Sequence, residues 1–117
     1  MYMLIMVLDN SEYLDDVLQA WVDAGVPGVT ILESTGVDRV LPREQAGSMF
    51  AGFSHIFGAS RVGHNTLFAV IESMALAETA VQATEAIIGD MNNPRTGIMF
   101  TLPVAKTWGI PEPYANE

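Results

Sequence analysis

With 117 residues the chain makes one domain of ordinary size and has no room for a second independent core. Half of the residues are hydrophobic and 16% are charged, which excludes disorder, and 14 Asp and Glu against 5 Lys and Arg give a formal net charge of −9. An acidic surface without a basic cluster excludes nucleic acid and anionic lipid surfaces as partners, and the lack of cysteine excludes disulfides, thiolate metal sites and thiol nucleophiles. A reducing cytoplasm is the expected compartment.

Residues 2–8 are apolar on both faces and are stopped by Asp9 and Asn10, the pattern of a central strand. This is the longest apolar run, far short of the roughly 20 residues that span a bilayer, and no basic segment precedes it, so neither a signal peptide nor membrane insertion is expected. Across 11–24, Leu14, Val17, Leu18, Trp21 and Val22 recur at helical spacing with Glu12, Asp15, Asp16, Gln19 and Asp23 turned away. Asp9, Asn10 or Ser11 caps this helix and Gly25 ends it. Residues 29–35 and 66–71 read as the second and third strands.

Between those strands, Ala46, Met49, Phe50, Phe53 and Phe57 fall at helical spacing, with Pro42 suited to a helix start, so the loop 39–64 is expected to contain a helix over 42–58. Gly47 and Gly52 oppose it by roughly 1 kcal/mol each. Residues 76–91 repeat the helical period through Ala77, Ala80, Val81, Thr84, Ile87, Ile88 and Met91, and Gly89 ends or frays the helix. Residues 97–104 form a last strand, and 105–117 a polar tail.

The order β-α-β-β-α-β, read as two right-handed β-α-β units sharing a hairpin, gives an α+β, ferredoxin-like fold with an antiparallel sheet ordered 4-1-3-2 and both helices on one face. Strands one, two and four carry apolar side chains on both faces, so the bare face needs cover from a neighbouring subunit or from the central connection folded back. Seven Met and ten aromatic residues, more than a small core needs, favour the subunit.

The segment Leu14-Asp15-Asp16-Val17-Leu18-Gln19-Ala20-Trp21, followed by Gly25-Val26-Pro27-Gly28-Val29-Thr30-Ile31, Glu33, Gly36 and Arg39, resembles the P-II nitrogen-regulatory family without a gap. Gly97-Ile98-Met99-Phe100-Thr101-Leu102-Pro103-Val104 is similar to that family's last strand. The resemblance implies a homotrimer that binds ATP or ADP between subunits and regulates an enzyme or transporter, in nitrogen or related metabolism, through the loop after strand two. It carries Thr30, Gly36, Arg39 and Gly97 over as nucleotide-site positions.

Several positions depart from the family pattern: Ile98 stands where the family has a lysine, Asp38 replaces a glycine, Val40 a glutamine, and Gly109 and Pro111 two arginines. Three lost cations remove charge-assisted hydrogen bonds worth roughly 1.5 to 3 kcal/mol each. The expectation is therefore weak or no ATP binding, with a smaller anion or a mononucleotide preferred. The tyrosines are Tyr2, Tyr13 and Tyr114, so uridylylation of a loop tyrosine is excluded.

Arg39, Arg43, Arg61 and Arg95 are expected at one end of the sheet, where they would hold a phosphate or carboxylate, or else pair with Asp38, Glu33, Glu44 and Asp90. The ligand site expected there comprises Thr30, Gly36, Asp38, Arg39, Arg95, Thr96 and Gly97. Asn92, Asn93, Pro94, Thr96 and Gly97 present backbone N–H groups to an anion or form a plain turn. Phe50, Phe53 and Phe57 are core or a partner-binding stripe. No Ser-His-Asp order, paired-acid motif or phosphate-binding loop is legible, so an enzyme is not expected. His55 and His64 lack a third ligand, and no metal site is assigned; the competing reading is a metal-binding protein or small enzyme on the same trimeric scaffold, using these two histidines.

Overall fold

The computed structural model describes residues 1–35, 64–93 and 96–110. Within them the chain runs β1 (Tyr2–Leu8), α1 (Leu14–Ala24), β2 (Thr30–Ser34), β3 (His64–Ile71), α2 (Met74–Ile88) and β4 (Gly97–Pro103). The expected loop helix over 42–58 lies outside the described residues.

A 3₁₀ turn, Ser11–Tyr13, leads into α1, and of the three candidate caps it is Asn10 whose side chain accepts the Glu12 N–H, at 3.0 Å. Asp15 and Asp16 occupy the first turn, where they oppose the positive end of the helix dipole. At the other end Gly25 adopts φ +100°, and the Val26 N–H reaches back to the Trp21 carbonyl while Gly25 N–H bonds Val22. This left-handed closure is why glycine stands there. Ser73 caps α2 by accepting the Leu76 N–H, so the helix starts two residues before 76, and Gly89 ends it at Ile88 as its place in the sequence suggests. Met91 still packs against the core from the following turn.

The sheet order is β2-β3-β1-β4 with every neighbouring pair antiparallel, the expected 4-1-3-2 read from the other edge. It is an α+β arrangement compatible with a ferredoxin-like fold. Strand β3 begins two residues before the apolar run, at His64. On one sheet face Leu4, Met6 and Leu8 of β1 and Leu67, Ala69 and Ile71 of β3 join Val17 and Trp21 of α1 and Ala77 and Ala80 of α2 in a single core. Both helices therefore cover the same face. Burying each of the larger side chains contributes roughly 1.5 to 3 kcal/mol. Val22, expected on the buried face of α1, is instead 59% exposed. It lies one residue beyond Trp21, about 100° further round the helix, past the stripe that meets the sheet.

The core contains one polar link that periodicity alone does not reveal. The Trp21 indole Nε1–H donates to Thr84 Oγ1 at 3.0 Å, and the Thr84 hydroxyl donates to the Ala80 carbonyl at 2.7 Å. Thr84 is fully buried, and these two bonds offset the desolvation of its hydroxyl.

Strand alternation and register put Met3, Ile5 and Val7 of β1, Phe68 and Val70 of β3, Leu32 of β2, and Ile98, Phe100 and Leu102 of β4 on the face away from the helices. At the sheet centre Ile5 is buried between Phe68 and Phe100. Towards the edges Leu32, Ile98, Phe100 and Leu102 are 41 to 57% exposed. Beyond β4 the Val104 N–H bonds the Met1 carbonyl, and Lys106 Nζ lies 5.0 Å from the centre of the Trp108 ring. No helix among the described residues is long and apolar enough to cross a membrane.

Candidate functional site

At one end of the sheet β2 stops, β3 starts, β1 stops and β4 starts: Ser34 pairs with His64, and Leu8 pairs with both Asn65 and Gly97. Thr96 and Gly97 therefore share an end with the segment that follows β2, as the sequence suggests. The strand order, however, puts β2 and β4 on opposite edges. Three interstrand spacings of about 4.8 Å leave about 14 Å between them within one chain. Gly36, Asp38, Arg39 and Arg95 lie outside the described residues, as do Arg43, Arg61, His55 and the stripe Phe50, Phe53 and Phe57.

Two side-chain contacts lie at this end of the sheet. His64 is buried, and its Nε2 lies 3.4 Å from an Asp9 carboxylate oxygen, a contact that becomes an ion pair when the imidazole is protonated. Beside it Ser34 Oγ and Thr66 Oγ1 share a hydrogen bond of 2.9 Å. Among the described residues no group of three or more His, Asp or Glu is placed to hold a metal ion.

Among the described residues before β4, those just after α2 bond to near neighbours. Met91 N–H donates to the Glu85 carboxylate, Asn92 N–H to the Asp90 carboxylate and Asn93 N–H to the Asp90 carbonyl, each at 2.9 Å. The Thr96 hydroxyl lies within hydrogen-bond reach of the Met91 and Asn93 carbonyls, at 3.2 and 2.9 Å. The N–H groups of 91–93 thus face local acceptors, two of them carboxylates. Gly97 is also explained by the fold itself. At φ +120° an added Cβ would overlap the Val7 carbonyl oxygen, so the close pairing of β4 with β1 demands glycine whether or not a ligand binds.

Thr30 stands apart from this end, four residues before Ser34 and so about 13 Å along β2. It lines a cavity of about 380 Å³ at the opposite end of the sheet, where Pro27 and Gly28 lead into β2 and Phe68, Val70 and Glu72 close β3, with Leu76 and Ile110 at its sides. The sequence gives little warning of this cavity, because its walls come from segments far apart in the chain. The available signals are the Pro27-Gly28 pair immediately before a strand and Thr30 itself.

No protein-family model matches the chain, and no curated protein sequence matches it.

Proposed function

We propose that this chain is a P-II-like regulatory subunit: a homotrimer on a ferredoxin-like scaffold with a helix in its long loop, which binds a small anionic ligand and regulates an enzyme or transporter. The observation that carries the reading is the apolar sheet face. Leu32, Ile98, Phe100 and Leu102 stand about half exposed in the single chain. Covering the exposed half of each is worth roughly 1 kcal/mol, half of the full-burial figure, and a second and third copy present the same surface under closed symmetry.

The ligand site proposed uses Gly36, Asp38 and Arg39 of one copy with Arg95, Thr96 and Gly97 of the next. The 14 Å between sheet edges supports an arrangement shared between copies over one within a chain. Arginine forks would recognise a phosphate or carboxylate, while Asp38 opposes a full triphosphate. A small anion or mononucleotide is thus favoured over ATP.

Light scattering should give about 38 kDa, three times 12.7 kDa. Calorimetry with ADP, ATP, cyclic nucleotides and small carboxylates should show an anion bound, more tightly than ATP. A monomer at micromolar concentration removes the interface argument. A trimer that binds a divalent metal and no anion returns the protein to the metal-binding alternative.

A further inference from the structure

We infer that the cavity between the start of β2 and the end of β3 is the seat of Trp108 from a neighbouring copy, so that each subunit's indole fills the next subunit's cavity around a closed ring. This contact rests on the homotrimer proposed above and is what closes its ring.

Four observations carry the inference. Trp108 is 80% exposed, more than any other large apolar side chain among the described residues. A tryptophan can take roughly 150 to 250 Å² out of water, so leaving this one bare is costly unless a partner covers it. Lys106 Nζ, 5.0 Å from the ring centre, takes one face of the indole and leaves the other open. The indole also stands beside the cavity of its own chain without entering it. Thr107 Oγ1 reaches within 3.9 Å of the Met1 sulfur, and Met1 and Ile110 both line the cavity, whereas Trp108 does not.

The third observation is the fit. At about 380 Å³ the cavity falls in the size range that holds small organic groups. Met1 and Glu72 set an ammonium against a carboxylate among the lining residues, so neither sign of charge is selected, and Phe68, Val70 and Leu76 suit an uncharged aromatic body. The Thr30 hydroxyl and the Glu72 carboxylate are acceptors for an indole N–H. Fourth, Phe68 and Val70 belong to the sheet face away from the helices, so a copy seated on that face arrives at the cavity. A closed ring of three needs a head-to-tail contact, in which a protrusion on one copy meets a different, complementary surface on the next. Trp108 and the cavity are such a pair on one chain. Lying side by side at the same end of the sheet, they are brought together by rotation about an axis near that end.

The experiment labels both tryptophans of the full chain as 5-fluorotryptophan and follows them by fluorine NMR beside light scattering, with the fully buried Trp21 as reference. At the trimer mass of about 38 kDa, Trp108 should lose the resonance shift between H₂O and D₂O that marks a solvated ring. Trp108→Ala should raise the concentration of half-assembly about tenfold. Gly28→Leu should do the same from the other side of the contact: Gly28 lines the cavity, an added Cβ there meets nothing within 4 Å, and circular dichroism verifies its fold. The two changes together should do little more than either alone, since each removes one shared contact. Free indole should shift the Phe68 and Val70 amide resonances of Trp108→Ala saturably and leave those of the parent trimer unmoved, because there the seat is taken. A trimer with Trp108 still solvated, unchanged assembly in Trp108→Ala, additive effects of the two changes, or indole binding to the parent trimer overturns this contact and leaves the regulatory reading standing. A monomer at micromolar concentration overturns both.

Discussion

Thr84 shows how one hydroxyl joins two helices. It accepts a hydrogen bond from the Trp21 indole N–H and donates one to the Ala80 carbonyl inside an otherwise apolar core. Thr84→Val keeps the shape and removes the acceptor, leaving a buried indole donor unpaired. We expect a loss of about 1 to 3 kcal/mol in urea denaturation, with unchanged oligomeric mass. Trp21→Phe combined with Thr84→Val should cost less than the sum of the single changes, since the two side chains share one interaction. Gly97 is constrained by backbone alone. Gly97→Ala forces a Cβ into a left-handed backbone and against Val7, so more than about 1 to 2 kcal/mol, the cost of the backbone conformation alone, should be lost, with amide exchange accelerated in β4 and the adjoining half of β1. If Gly97→Ala keeps full stability but loses an anionic ligand, the glycine serves the ligand instead.

At the scale of elements, capping chemistry and apolar periodicity made most of the fold legible. The run 2–8 is β1 to the residue. Gly25 ends α1 where its lack of a Cβ is needed, and Gly25→Ala should cost about 1 kcal/mol in thermal or urea unfolding. What escaped sequence reading depended on tertiary partners. His64 and Asn65 are polar, so they do not resemble a strand, and only Asp9 and the pairing of β3 with β1 and β2 account for their place in one. Val22 fits the helical period yet faces solvent, because the period fixes a stripe and not how far the sheet extends beneath it. The candidate site was legible only as separate residues: Thr30 and Gly97 could each be named, but their positions at opposite ends of the sheet come from register. Over 42–58 the apolar spacing predicts slow amide exchange in a partly helical loop, since several buried aromatic side chains would outweigh two glycines. Rapid exchange throughout the segment would leave that helix without support.

For the whole molecule, the decisive surface is the sheet face away from the helices. Phe100→Asp and Leu102→Asp alter residues that are 41% and 47% exposed in the single chain, so, if the proposed trimer forms through this face, each should preserve secondary structure while driving the mass from about 38 kDa towards 12.7 kDa. An unchanged trimer would put the subunit contact elsewhere. The same strand has a consequence for the protein once it unfolds. From Ile98 to Leu102 it is uncharged, free of proline and rich in strand-forming side chains, and it sits at the outer edge of the sheet. β2 at the other edge carries Glu33, whereas β4 has only Gly97 and Pro103 at its ends as interruptions. Released from β1, this segment meets the requirements for stacking with its own kind into cross-β aggregates, so recovery after heating should fall with protein concentration and stability should behave as a lifetime rather than an equilibrium.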